Sequence, residues 1–503
     1  MESGVQFTQM DTTAIKGVST RVRSFICLVS WTLFAPVAAP ASVEKADPFS
    51  IGEQFHLQST VLTEGRTYIV HLPRGYETGK DAYPVLVVLD AEVHFGLTAA
   101  ALDELSGGGR IPPMIVVGVT NTDRTRDMTP SMPKTDFGGA PWAGSAGGAA
   151  RFLSFIADEL LPTIDKRYRT RHYRVLAGHS LGGLFAVYAL MNRPEVFNGY
   201  LAISPSLWWD EQALVKAAGP FLTAHGDLSA DLYIAIGNEG QEMLGGAYKL
   251  SAALEESKLK QLRWQFRRSP EEDHGTITYP ATYAGLQGIF AGYRVADPVA
   301  LFEQGGLPAF ARHYADVSKR LGYTVEVPME TYAGMVWELS GRGRFTEAEA
   351  IGTKMLELQP KNPLTLSMLA QVAGMQKDDS RAIGYLTQAL RFFPGDGRAR
   401  SALVNYKVDV DELVQGPHVA AKNLRPYVGA YRSHGEQLEI EYAHGKFMAH
   451  SPAEKCELRT MTQTRFYCVG IDVNLEFDRD ARGKVTGLRV EHPDFLEEYS
   501  RQP

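Results

Sequence analysis

The chain has 503 residues, 44% of them hydrophobic and 22% charged, and a formal net charge of −7. That length exceeds one ordinary domain and calls for roughly two to four, with a composition typical of globular protein. The mild negative charge and the lack of any Lys/Arg block give no basis for nucleic acid or an anionic membrane surface as partner.

The first segment stands apart. Lys16, Arg21 and Arg23 precede an apolar stretch over 25–37, and Ala39-Pro40-Ala41 puts small residues at the two positions a signal peptidase reads. Residues 1–41 therefore read as a signal peptide, with a long n-region unless the start is Met10. An uncleaved anchor is the alternative. The apolar run is short for a membrane span and ends at Pro36 and Pro40. No stable span is expected after processing, and the mature chain is expected to be exported, periplasmic or secreted.

From 47 to 298, short β-branched runs alternate with helical stretches. The runs over 85–89, 114–119, 175–177, 200–204 and 232–236 are nearly continuous apolar segments. Such runs suit parallel strands buried on both faces. The stretch 58–72 alternates and predicts an antiparallel lead-in pair. Strands alternating with helices imply a doubly wound α/β sheet.

From 299 to 412 the pattern turns wholly helical and repeats. Ala348 and Ala382 are 34 apart (382−348), as are Pro360 and Pro394 (394−360). That is the tetratricopeptide period, and the repeat resembles two such units over about 329–397. Two units are few for independent stability, so flanking helices must cap them. A peptide or protein partner at these repeats is one expectation.

From 424 to 498 the period falls to two, and 436–442, 446–450, 465–469, 473–478 and 485–491 predict antiparallel strands. This small β domain resembles the β-barrel appended to exported serine β-lactamase-like proteins, on Tyr427-Val428-Gly429-Ala430-Tyr431 and on 477–485. Asp478 and Asp480 read as a hairpin turn rather than a calcium loop, since the remaining ligands are missing. Cys456 and Cys468 flank two short strands and are expected either to pair in an oxidising compartment or to stay free.

The chemistry centres on Gly178-His179-Ser180-Leu181-Gly182-Gly183, set between the apolar run 173–177 and the helical run 184–190. Strand, G-x-S-x-G, helix is the context of a nucleophile elbow. A serine hydroxyl needs an adjacent base, and in such sheets the partners follow in the order serine, acid, histidine. His225 precedes the acid-bearing strand, which leaves His274, in a polar loop after the run 262–267. Glu239 lies just past the run 232–236 and is the favoured acid; Glu242 is the alternative, and Asp273, adjacent to His274, ranks below both. The oxyanion donors are expected to be the N–H of Leu181 and one from the loop after 85–89, with Ala91 or Glu92 the candidates.

Arg126, Asp127 and Trp142 are candidate substrate-binding residues. For Arg124 and Arg126, an anion contact at the pocket competes with an internal salt bridge to Asp123 or Asp127. The small-residue loop 138–144, with Trp142, is either a lid or a surface excursion.

Several segments resemble the putative-esterase, or esterase D, family over about 52–295. They are the elbow, Tyr83 to Asp90, Asn121 to Pro130, Leu160 to Tyr168, and Asp273-His274-Gly275. The resemblance implies an α/β-hydrolase fold. It also implies a serine carboxylic-ester hydrolase acting through an acyl-enzyme, within a family that includes siderophore esterases, feruloyl esterase modules, S-formylglutathione hydrolases and mycolyl-transferring antigens. The stretch 126–130 is nearest the siderophore esterase branch, so a small-molecule ester is the expected substrate. An acyltransferase using the same three residues, or an envelope scaffold with a vestigial hydrolase, are the alternatives. No Cys/His/Asp spacing suits a metal or organic cofactor, and none is expected.

Overall fold

The computed structural model describes residues 50–502 apart from 78, 136–139, 415, 418, 434–435, 453 and 494–495. The expected signal segment 1–41, and Gly138 and Gly139 of the small-residue loop, lie outside the described residues.

The first part of the chain forms an eight-stranded sheet. Its strands are β1 (Glu53–Ser59), β2 (Glu64–His71), β3 (Tyr83–Leu89), β4 (Ile115–Val119), β5 (Thr170–His179), β6 (Gly199–Ile203), β7 (Ala230–Ile236) and β8 (Leu262–Arg268), in the order β1-β2-β4-β3-β5-β6-β7-β8. β1, β2 and β4 pair antiparallel, and every pairing from β4 to β8 is parallel. All residues of β3, β4, β6 and β7 are buried, as continuous apolar runs require when helices cover both faces. β8, on the edge, is partly exposed, and its Arg263, Gln265 and Arg267 alternate with Trp264 and Phe266.

Along β3 the side chains divide between two cores. Val85, Val87 and Leu89 pack with Phe152, Phe155 and Phe185 on one face. Leu86 and Val88 pack with Phe95, Leu286 and Phe290 on the other. The second core does not stop at residue 298. It continues through Val299, Phe310 and Tyr314 to Met335, Leu339, Ala348 and Val372. The helical segment thus shares a core with the sheet's helix layer.

Four helices repeat in pairs: Met329–Gly341 and Phe345–Leu358, then Pro363–Met375 and Asp379–Phe392. Each start is offset by 34 (363−329 and 379−345). Ala348 and Ala382 are buried, and Pro360 and Pro394 lie just past the second helix of each pair. At Gly352 a Cβ would come within 2.5 Å of Leu369, so the helices here approach too closely for a side chain.

The final segment is a closed antiparallel barrel of eight strands: β9 (Gly429–Ser433), β10 (Glu436–Ala443), β11 (Lys446–His450), β12 (Lys455–Thr460), β13 (Arg465–Cys468), β14 (Asn474–Arg479), β15 (Val485–Glu491) and β16 (Leu496–Arg501). β16 pairs with β9 and removes the open edge. Tyr427, Phe447, Phe466 and Phe477 fill the interior, with Phe466 and Phe477 centroids 5.6 Å apart and Tyr427 and Phe477 4.4 Å. Asp480 Oδ1 accepts the N–H groups of Arg482 and Lys484, both at 2.9 Å, which makes its segment a turn.

Cys456 and Cys468 form a disulfide with Cα atoms 5.5 Å apart. They are not directly opposed: Leu458 faces Cys468, and Cys456 lies two residues farther along β12. The bridge is diagonal. The barrel seats on the end of the helical repeats, where Gly470 N–H donates to Gly395 O at 3.1 Å and Asn474 Nδ2 to Phe392 O at 2.9 Å.

Candidate active site

β5 ends in a turn so tight that a Cβ on Gly178 would lie 2.2 Å from Gly182 O. Ser180 takes φ 60°, ψ −114°, a conformation costly for a residue with a side chain and typical of a nucleophile elbow. Gly183 lets the helix Leu181–Asn192 lie against the neighbouring strand: a Cβ there would meet Ile203 O at 2.7 Å and Pro205 at 2.9 Å. Ser180 N–H donates to Ile203 O at 2.9 Å, and Ser206 N–H donates to Ser180 O at 3.0 Å. The strained turn is thus held by main-chain bonds to β6 and the segment after it.

Three residues far apart in sequence meet at this turn. Ser180 Oγ lies 3.0 Å from His274 Nε2, and His274 Nδ1 lies 2.6 Å from Glu239 Oε2. A carboxylate only accepts, so Nδ1 carries a proton. In the neutral ring Nε2 is then free to accept from the serine hydroxyl. Glu239 is nearly buried, with 4% of its side chain exposed, while His274 is 44% exposed. Burial pushes the Glu239 carboxyl up, but hydrogen bonds from His274, Ser204 and Gly237 N–H together hold it below the usual carboxylate range. The Ser204 hydroxyl and the Gly237 N–H, the latter at 3.1 Å, both reach Oε1. Glu242 is exposed in the first turn of the helix Gln241–Ser257. Asp273 instead caps its own loop, accepting from Gly275 and Thr276 N–H at 2.8 and 2.9 Å. His225 ends a helix on the far side of β7 in sequence and binds Phe221 O at 2.8 Å.

Leu181 and Ala91 are the first residues of the helices Leu181–Asn192 and Ala91–Gly107. β3 and β5 are parallel neighbours with Val88 opposite Ala177, so both helices start at the same end of the sheet. First-turn N–H groups have no partner within the helix and favour negative charge. Asp90, which precedes Ala91, is in the left-handed region at φ 53° and is buried. Arg124 grips its carboxylate at 2.6 and 2.9 Å and also donates to His179 O at 3.2 Å. Asn121 Nδ2 adds a bond to Asp90 at 2.7 Å. Arg124 therefore ties the loop before Ala91 to the elbow, a pairing that differs from the expected partners Asp123 and Asp127.

The carboxylate of Asp127, 1% exposed, is shared by Arg66 at 2.5 Å and Arg126 at 2.7 Å. Arg126 also binds Glu64 at 2.7 Å. Both residues are committed to an internal ion-pair network. Trp142 is partly buried; its ring meets Trp209 edge-on at 5.0 Å, and its indole N–H donates to Gly144 O at 2.7 Å. Trp209 follows closely on Ser206, whose Oγ is 3.3 Å from Ser180 Oγ.

Ser204, Ser206 and His179 join the site without having been expected in it. Ser204 and Ser206 stand just beyond β6, next to the elbow strand, where residues of open α/β sheets gather. That position is the signal that could have found them.

The profile of the family described as Putative esterase matches residues 59–280. The chain is 31% identical over 196 residues to the siderophore triacetylfusarinine C esterase of Aspergillus fumigatus, covering 35% of this chain and 62% of that one. It is 31% identical over 179 residues to the ferri-bacillibactin esterase BesA of Bacillus subtilis, covering 32% of this chain and 61% of that one. The chain thus spans about three fifths of the length of these curated relatives. Among solved structures, the IroE-like serine hydrolase of Shewanella oneidensis aligns with a TM-score of 0.52 at 28% identity, covering 68% of this chain and 99% of that one. Among the described residues, no helix is long and apolar enough to cross a membrane.

Proposed function

We propose that this chain, whose residues 59–280 match the Putative esterase family, is a serine carboxylic-ester hydrolase acting through an acyl-enzyme. The observation that carries this reading is the relay Ser180 Oγ, His274 Nε2 and Nδ1, Glu239 Oε2, with links of 3.0 and 2.6 Å. Ser180 is the nucleophile. Its oxygen attacks the ester carbonyl carbon while its proton passes to His274 Nε2. Glu239 keeps the imidazole in the tautomer that can accept this proton and stabilises the cation that results. The N–H groups of Leu181 and Ala91, at helix starts on the same end of the sheet, are the assigned donors to the oxygen that becomes negative. His274 then returns the proton to the departing alkoxide. Water, deprotonated by the same ring, attacks the acyl carbon; the Ser180 Oγ–acyl bond breaks, the acid is released, and His274 returns the proton to Ser180 Oγ.

The substrate class is a siderophore-type ester. The two relatives reported above bear the names of siderophore esterases. The Cys456–Cys468 disulfide fits an oxidising compartment outside the cytoplasm. The test is incubation of wild type and Ser180→Ala with a triester siderophore, with and without iron, followed by mass spectrometry. Release of the monomer acid by wild type alone supports the reading. An intact siderophore, together with turnover of simple aryl esters, removes the substrate class and leaves the chemistry.

A further inference from the structure

The residue before the nucleophile faces the loop that carries the base. His179 Nε2 is 2.7 Å from the main-chain carbonyl oxygen of His274. A carbonyl only accepts, so His179 donates there. The two rings lie 4.6 Å apart at 44°, and His94 meets His179 edge-on at 5.5 Å.

The loop between β8 and the helix Thr278–Ile289 is built of turns. Asn238 N–H holds it at Glu272 O at 2.6 Å, and Asp273 closes the turn over Gly275 and Thr276. Those ties act on the residues around His274. The bond from His179 acts on the peptide of His274 itself. It comes from the end of β5, so it fixes the base relative to the same backbone that fixes Ser180.

We propose that His179 is a positioning residue: it holds the His274 main chain at the distance from which Nε2 reaches Ser180 Oγ. This rests on the reading of Ser180, His274 and Glu239 given above. A shift of the imidazole by a fraction of an ångström lengthens the proton-transfer contact, and such errors in placement cost rate rather than binding. The residue type suits the task. Burial, reinforced by the proximity of His274, pushes His179 down to about 4. It therefore stays neutral when His274 becomes cationic, where a lysine or arginine would add a permanent charge. A phenylalanine would stack as well but hold nothing.

The test is a double-mutant cycle. His179→Phe and His179→Gln are made in the wild type and in His274→Ala, and kcat and KM are measured with p-nitrophenyl acetate alongside melting temperatures. His179→Phe is expected to lower kcat roughly 10- to 100-fold with KM unchanged, and His179→Gln, which keeps a donor, to recover most of the loss. In the His274→Ala background His179→Phe should change nothing further, because the base it positions is gone. An equal loss in both backgrounds, or full kcat in His179→Phe, overturns the proposal. Should the Phe variant fail to fold, His179→Asn, whose amide is too short to reach, takes its place in the cycle. Full activity of His274→Ala is a different result: it removes the assignment of the base, and this proposal with it.

Discussion

Glu239 and His274 meet through a 2.6 Å contact between Oε2 and Nδ1, while the other Glu239 oxygen is taken by Ser204 and the Gly237 N–H. Both carboxylate oxygens are thus used, one by the His274 ring and one by the Ser204 hydroxyl and the Gly237 N–H. Glu239→Gln would present either an amide oxygen or an N–H to Nδ1 and lose the charge that stabilises the imidazolium. A drop in kcat of about 10⁴-fold is expected. Glu242→Gln, on an exposed helix turn, should leave kcat unchanged. Kinetics of the two variants side by side decide between these carboxylates.

Acid should destabilise the protein partly through His179. Its ordinary value of 6.5 falls to about 4 in the folded chain. Above 6.5 it is neutral in both states and contributes nothing to the pH dependence. As pH falls from 6.5 towards 4, the unfolded chain gains a proton that the folded chain resists, and stability declines. Below 4 the loss levels off, at up to about 3 kcal/mol. His179→Gln should flatten this decline. Denaturant unfolding from pH 7 to pH 4 measures it, and parallel curves for the two proteins would contradict it.

Asp127 and Arg66 are each 1% exposed and paired at 2.5 Å. Asp127→Asn removes one of the two carboxylates that hold the buried Arg66 guanidinium, Glu64 at 2.9 Å being the other, so a loss of up to about 3 kcal/mol in stability is expected. Arg126→Ala, at a partly exposed position, should cost less. If the pair serves the fold, KM for a small ester stays unchanged in both variants after correction for the folded fraction. A large rise in KM with unchanged stability would return these residues to the substrate pocket.

The Cys456–Cys468 bridge closes a short loop of sequence separation 12. Its removal by Cys456→Ser should lower the stability of the barrel by about 2–3 kcal/mol and leave esterase turnover intact. Calorimetry with and without reductant checks the first part. Two reactive thiols in the unfolded, unreduced mature protein, which lacks Cys27, would rule the bridge out.

The sheet was legible because its central strands are buried on both faces and so carry apolar runs without alternation. Ser180 was legible from its glycines, and His274 and Glu239 from their order after it and their place beyond strand ends. The 34-residue offset was likewise on the surface of the sequence. What stayed hidden depends on distance along the chain. Nothing near His179 announces a contact with a carbonyl 95 residues away, and nothing near Asp127 announces Arg66, 61 residues before it. Arg124 has acidic neighbours in sequence yet spends its guanidinium on Asp90. The barrel itself was implied by the resemblance, but its closing strand β16 (Leu496–Arg501) carries a weak apolar signal and was not among the expected strands. The change to helical pattern near residue 298 marks a boundary of composition, but the packed core runs through it.

The central claim is that Ser180 is an activated nucleophile. Its most direct measurement is labelling with a fluorophosphonate probe, with the modified peptide identified by mass spectrometry and p-nitrophenyl ester turnover followed in the same samples. The account predicts one label per folded chain, on Ser180, with turnover falling as label is incorporated. It also predicts no label and a loss of roughly 10⁴- to 10⁶-fold in kcat for Ser180→Ala. Labelling at another residue, or near wild-type turnover by Ser180→Ala, would contradict it.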